Sequence, residues 1–143
     1  MIKKMAPPPR VKFVIEMGED PAEPEDPEAS SLYFQSYGDV EVHELMLRDR
    51  PRMEAYHAAI QKLKHLIVGK AVLDVGTGTG VLAMMAAKAG ARVVYAVEAS
   101  SAVHLARQLV EANKLGDTVK LIHGKVEDVQ LPEKVDVIVS EWM

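Results

Sequence analysis

Lys70-Ala71-Val72-Leu73-Asp74-Val75-Gly76-Thr77-Gly78-Thr79-Gly80 decides the fold of this chain. A β-branched run ends in a carboxylate, a glycine-rich turn follows, and a helix-forming segment begins at Val81. Glycine lets the backbone enter positive φ and approach a ligand closely, and a helix start presents N–H groups. The turn is therefore a candidate seat for a nucleotide-like cofactor. The dinucleotide fingerprint can be forced onto Gly78, Gly80 and Ala83, but from Gly76 it fits poorly, because Val81 takes the last position. Asp74 argues further against a dinucleotide. A carboxylate beside the turn repels a pyrophosphate and attracts a cation, such as the ammonium of a methionine moiety. S-adenosylmethionine carries that ammonium and no phosphate. Glu98 follows Gly80 by 18 residues, where an acid can accept both ribose hydroxyls. The bland alternative is a plain βαβ unit with a tight turn, which leaves Asp74, the glycines and Glu98 without a common reason.

Outward from this stretch, strands are expected at 71–75, 92–97, 118–123 and 134–140, and helices at 80–89 and 100–113. Strands alternating with helices imply an α/β fold with a parallel sheet and right-handed crossovers. The run Val135, Val137, Ile138 and Val139 reads as a strand covered on both faces. Ligands of such sheets sit beyond the carboxyl ends of the strands. Those ends carry Asp74 and Gly76, Glu98, the residues after Gly124, and Ser140-Glu141. Upstream, a short helix is expected over Val42–Arg48. A second starts near Asp49, which serves as N-cap with Pro51 in the first turn. Met53, Tyr56, Ile60, Leu63 and Ile67 recur at helical spacing and form one core-facing stripe.

The chain has 143 residues, and 48% of them are hydrophobic, enough for one modest domain with a real core. No apolar run approaches the roughly 20 residues of a membrane span. Met1-Ile2-Lys3-Lys4 starts like a signal peptide, but Pro7-Pro8-Pro9-Arg10 denies it an apolar region. With no cysteine there is no disulfide framework and no cysteine metal site. No metal ligand set is read, and a cytosolic or nuclear protein is the default. Residues 16–28 hold seven acids and no base; since the whole chain carries −4, the remainder carries +3. Interspersed with Pro21, Pro24 and Pro27, this tract reads as part of a disordered tail over residues 1–30, with the folded domain over 31–143. The tract could attract basic partners, or simply be solvated. No interleaving of basic and aromatic residues suggests direct nucleic-acid binding.

Several stretches then fall in one order: Tyr33-Phe34-Gln35-Ser36-Tyr37; His43, Met46-Leu47-Arg48-Asp49, Arg52 and Tyr56; Val72 to Gly80; Val97-Glu98-Ala99-Ser100; Lys125-Val126-Glu127; and Leu131-Pro132 through Asp136 into Ser140-Glu141-Trp142-Met143. Together they resemble the protein arginine N-methyltransferases over residues 32–143. The likeness is to the type I members, and the Glu98-Ala99-Ser100 variant and the Pro132-to-Met143 stretch look closest to the second and sixth vertebrate ones. The resemblance implies a Rossmann-like class I S-adenosylmethionine-dependent methyltransferase fold. It implies that Tyr33, Phe34 and Tyr37 fold over the cofactor as a lid; alone they would read as a hydrophobic staple. His43 matches a cofactor contact, Arg52 the arginine that grips the methionine carboxylate, and Glu127 an acid at the adenine amino group. Gly76, Gly78, Asp74 and Glu98 complete the implied cofactor set. Without the family, Arg52 is a helix surface charge, Glu127 a solvated loop acid and Met46 a packing residue; in the family, Met46 matches a methionine that helps set product type.

Glu141 matches the first of two glutamates that flank the substrate guanidinium, and is the implied catalytic residue; by itself it is a strand-end carboxylate. The resemblance implies arginine-containing protein substrates such as histones and Gly/Arg-rich proteins, asymmetric dimethylarginine as product, homodimers, and a nuclear or cytoplasmic setting. The sequence ends at Met143, before the second glutamate, so the expectation is a chain truncated after the fourth strand, inactive alone, with 134–140 as an exposed edge. Two other readings stand beside it: a cofactor-binding fragment without catalysis, and a methyltransferase acting on a small molecule or RNA.

Overall fold

The computed structural model describes residues 27–36 and 38–141, without the side chains of 29, 30, 33, 34 and 36. The tail as far as Asp26, the aromatic side chains of Tyr33 and Phe34, Tyr37, Trp142 and Met143 lie outside the described residues. Four helices come first: α1 (Pro27–Ser36), α2 (Val40–Arg48), α3 (Arg50–Lys62) and α4 (Lys64–Ile67). Then β1 (Ala71–Val75), α5 (Val81–Lys88), β2 (Val93–Glu98), α6 (Ala102–Ala112), β3 (Val119–His123) and β4 (Val137–Ser140) alternate as expected. The helix α1 begins at Pro27, inside the stretch that reads as tail: proline suits a first helical position and Glu28 complements the N-terminal dipole.

The sheet is four-stranded and parallel, in the order β3-β2-β1-β4. One face carries Val72, Val94 and Ala96 and packs against Ile60 of α3, Leu82, Ala83 and Ala86 of α5, and Val110 of α6. The other carries Ala71, Leu73, Val93, Tyr95 and Val97, against Val129, Leu131 and Val135. Every residue of β2 is buried, so the two-sided strand is Val93–Glu98 rather than the fourth one. β4 starts at Val137, three residues later than expected, and Ile138 is 64% exposed. Asp136 explains the late start. Its side chain accepts the Ala71 amide at 3.0 Å while its own amide donates to the Ala71 carbonyl at 2.8 Å. A carboxylate thus replaces a ladder partner, and regular pairing begins only beyond it.

The single stripe expected from Met53 to Ile67 is divided. Leu63, with φ −95° and ψ 11°, separates α3 from α4, so Ile60 and Ile67 are buried while Leu63 between them is 46% exposed. Asp49 does cap α3 as its sequence position suggests, accepting the Arg52 amide at 3.2 Å. That bond fixes the turn from which the Arg52 side chain departs.

Candidate functional site

Register places the strand ends on one rim. Val75 pairs with Val97 on one side and Ser140 on the other, so Gly76, Glu98 and Glu141 are level, one step past those pairs. Asp74 lies two steps below, and His123 is level with Glu98. The turn after β1 is held from within. The amides of Gly76 and Thr77 donate to the Val97 carbonyl at 2.9 and 3.0 Å, and that of Gly80 donates to Thr77 at 2.8 Å. The Gly78 amide donates to Glu98 Oε2 at 2.7 Å. Four amides of the turn are therefore committed inward, a poor arrangement for a phosphate, which needs them outward. The helix start that the sequence reading singled out lies one residue further on, at Val81, where the Ala83 amide of the first turn goes to Asp74.

Two glycines are required by the geometry. Gly78 has φ +55°, and a Cβ there would stand 3.1 Å from Cε1 of His43. The imidazole of buried His43, from α2, thus rests on the turn backbone. Gly76 has φ +69°, and an added Cβ would meet no atom within 4 Å; its outer side is open space at the rim. Across the rim, the α1–α2 joint reaches α6: a Cβ on Gly38 would lie 2.5 Å from Ser101 Oγ.

Asp74 is 1% exposed. Its carboxylate accepts the Thr77 hydroxyl at 2.6 Å and a backbone hydrogen bond from Ala83 in the first turn of α5. Burial nevertheless pushes its pKa up to about 6, and the charges of Glu98 and Glu141 push the same way. Glu98 is buried too, with Oε1 accepting the Ser100 amide at 2.8 Å. Glu141 is ion-paired with Arg52, both side chains more than four-fifths buried. Among the described residues, the rim therefore gathers the carboxylates of Asp74, Glu98 and Glu141 and the guanidinium of Arg52. Such a site favours a ligand with positive charge and a single carboxylate.

Of the residues singled out in the sequence, Asp74, Gly76, Gly78 and Glu98 lie together, His43 rests on the turn, and Arg52 joins Glu141. Glu127 is exposed in the turn after β3, four residues beyond His123. Sequence reasoning missed Thr77 and Ser100. Thr77 supplies the buried hydroxyl for Asp74, and Ser100 holds Glu98 while its Oγ accepts the Ala102 amide at 3.2 Å and starts α6. Their signal was short polar side chains two or three residues from a strand-end acid.

These features define a class I methyltransferase: a parallel 3-2-1-4 sheet with an acid-rimmed glycine turn. A family model described as ribosomal protein L11 methyltransferase (PrmA) matches residues 54–143, and the match agrees with the methyltransferase fold. Longer alignments give the branch. A probable protein arginine N-methyltransferase 6.1 of Oryza sativa subsp. indica is 53% identical over 116 residues, 81% of this chain and 31% of that protein. The crystal structure of Arabidopsis thaliana protein arginine methyltransferase 10, in an open conformation, superposes with a TM-score of 0.74 at 56% identity, over 76% of this chain and 31% of that one. Trypanosoma brucei PRMT1, in an enzyme–prozyme heterotetrameric complex with AdoHcy, also superposes at 0.74, with 48% identity over 76% of this chain and 34% of that one. The chain belongs to the protein arginine N-methyltransferases, and spans about a third of the length of these relatives.

Proposed function

We propose that this chain binds S-adenosylmethionine on the strand-end rim, and that the whole protein transfers its methyl group to arginine nitrogens of proteins. The observation that carries the reading is the rim's charge arrangement: Asp74, Glu98 and Glu141 around a turn with inward amides, balanced by Arg52. When bound, the donor supplies a sulfonium methyl to an incoming nitrogen. Glu98 spends two acceptor sites on Gly78 and Ser100 and keeps others for ribose hydroxyls. Arg52 has the planar fork that suits a carboxylate. Asp74 supplies negative field from beneath the turn, and His43 holds the turn's outer contour. A part for Glu127 at the adenine rests on the family resemblance alone.

Glu141 is the residue that would take the acceptor. Arginine stays protonated in water, and a carboxylate pairing with its guanidinium orients it and draws charge away from the reacting nitrogen. Methyl displacement then needs little beyond alignment and electrostatic support. Met46, half-buried on α2, supports the finer reading of a type I enzyme making asymmetric dimethylarginine. Histones and Gly/Arg-rich proteins as substrates, homodimers, and a nuclear or cytoplasmic setting are part of the same proposal. The heterotetramer of the trypanosome relative favours assembly of some kind.

Calorimetry with S-adenosylhomocysteine and with NAD tests the cofactor: measurable NAD affinity and none for S-adenosylhomocysteine would end the reading. Mass spectrometry of a Gly/Arg-rich peptide treated with the whole protein tests the product, and symmetric dimethylarginine alone would refute the subtype.

A further inference from the structure

Arg52 faces two claims on one guanidinium. In the structure it is bound to Glu141. The cofactor reading gives the same guanidinium to the carboxylate of the methyl donor. The two claimants come from different ligands' subsites, since Glu141 is also the acid that would hold an acceptor guanidinium. A guanidinium already paired with Glu141 stands where the acceptor's would have to bind, as an internal copy of the substrate group.

Resting on the cofactor assignment above, we propose that the Arg52–Glu141 pair is an exchange latch coupling the two subsites. A carboxylate arriving with the donor draws Arg52 toward itself, and Glu141 becomes available to an acceptor guanidinium. Donor binding and acceptor binding then favour each other, and by reciprocity each raises affinity for the other equally.

The structure supports such an exchange in three ways. Arg52 leaves from the capped first turn of α3, fixed by Asp49, so its head group can swing on its own stem while its backbone stays in place. Glu141 lies just past β4, where Ser140 Oγ donates to the Val75 carbonyl at 2.9 Å, so its backbone is anchored too. The side chains are 18% and 17% exposed. At that burial, neither charge is readily left without a partner, so a swap of partners is favoured over simple opening. Glu98 is held by two amides, and Asp74 by Thr77 and Ala83.

The latch makes an unusual demand on donor affinity. Breaking the pair is part of the cost of binding a carboxylate, so removing the charge of Glu141 should tighten donor binding. The test is a double-mutant cycle in the 143-residue chain, using Glu141→Gln, Arg52→Met and both together. The probes are S-adenosylhomocysteine and 5′-methylthioadenosine, which lacks the amino-acid carboxylate. With Arg52 present, Glu141→Gln should tighten S-adenosylhomocysteine roughly fivefold or more, the lower end of coupling between sites. It should leave methylthioadenosine unchanged, and have no effect on either probe once Arg52 is Met. In the unmutated chain, the Arg52 Nε–H resonance should shift on adding S-adenosylhomocysteine and not on adding methylthioadenosine, a readout that needs no variant. An unchanged or weakened S-adenosylhomocysteine affinity in Glu141→Gln, or an unmoved resonance on saturation, overturns the latch and leaves the cofactor assignment standing. Absence of S-adenosylhomocysteine binding in the folded, unmutated chain overturns both.

Discussion

Replacing Asp74 with Asn should erase a pH dependence of stability that the native chain carries. Asp74 is almost wholly buried, and its pKa is pushed from 3.8 up to about 6. Desolvation is the largest cause; the Thr77 hydroxyl and the Ala83 amide oppose it by favouring the charged form, while Glu98 and Glu141 reinforce it. The sign follows from proton counts. Between pH 4 and 6 the folded chain keeps a proton that the unfolded chain has lost, so stability falls as pH rises through that window. Below it the group is neutral in both states and costs nothing; above it the full penalty is present. At ~1.4 kcal/mol per pH unit, the gap between the two pKa values amounts to about 3 kcal/mol. Other carboxylates run in the opposite direction, as Glu133 does: its hydrogen bond from Arg92 and a second from Tyr95 hold its pKa below the usual value. The quantity to follow is therefore the difference between native and Asp74→Asn chains. Urea midpoints by circular dichroism, taken from pH 4 to 7.5, should show native stability declining against the variant by about 2–3 kcal/mol. Parallel curves would refute the argument, and so would a native chain that gains on the variant as pH rises.

The same linkage acts on ligands: if the donor's ammonium favours ionised Asp74, S-adenosylmethionine affinity should fall as pH drops below about 6 while 5′-methylthioadenosine affinity does not, a contrast calorimetry can read. Glu98→Ala should weaken S-adenosylhomocysteine binding by about 2 kcal/mol or more, the scale for losing hydrogen bonds to a charged acceptor; unchanged affinity would remove Glu98 from the site. Gly78→Ala should cost about 1–2 kcal/mol in urea unfolding, from positive φ alone, and more if His43 cannot give way; a variant as stable as the native chain would show that the turn has another shape.

How much of this was legible depends on how local each cause is. β1 matches its expected bounds, and α5, β2 and α6 are found within a residue or two of theirs, because β-branched runs, glycines and polar caps act over a few positions. Ser100 trims the start of α6 for the same local reason. The start of β4 was not legible. It depends on Asp136 meeting Ala71, 65 residues away, and a run of valines does not reveal that one carboxylate interrupts it. The break at Leu63 was hidden in the same way, since the spacing of apolar residues continues through it. Asp74 and Glu98 were picked out as acids near a glycine turn. What periodicity could not show is that both are turned to the protein's own amides and hydroxyl, and that Arg52 and Glu141 meet across the rim.

That inward turning separates this site from a phosphate seat built on the same scaffold. Strand, glycine turn and helix in this order serve either purpose, and glycine count does not distinguish them. The destination of the amide hydrogens does. Here the Val97 carbonyl takes two of them and Glu98 takes a third, so the turn closes upon its own strand ends and offers an incoming ligand mostly acceptors. Glu98 would perform both tasks at once: it holds the amides of Gly78 and Ser100 and so shapes the turn, and in the proposed reading its remaining acceptor sites take hydroxyl donors. A phosphate would find its donors spent and a carboxylate in its way. A ligand carrying hydroxyls and a cation would find acceptors already held in place by the backbone, with Arg52 as a partner for its carboxylate.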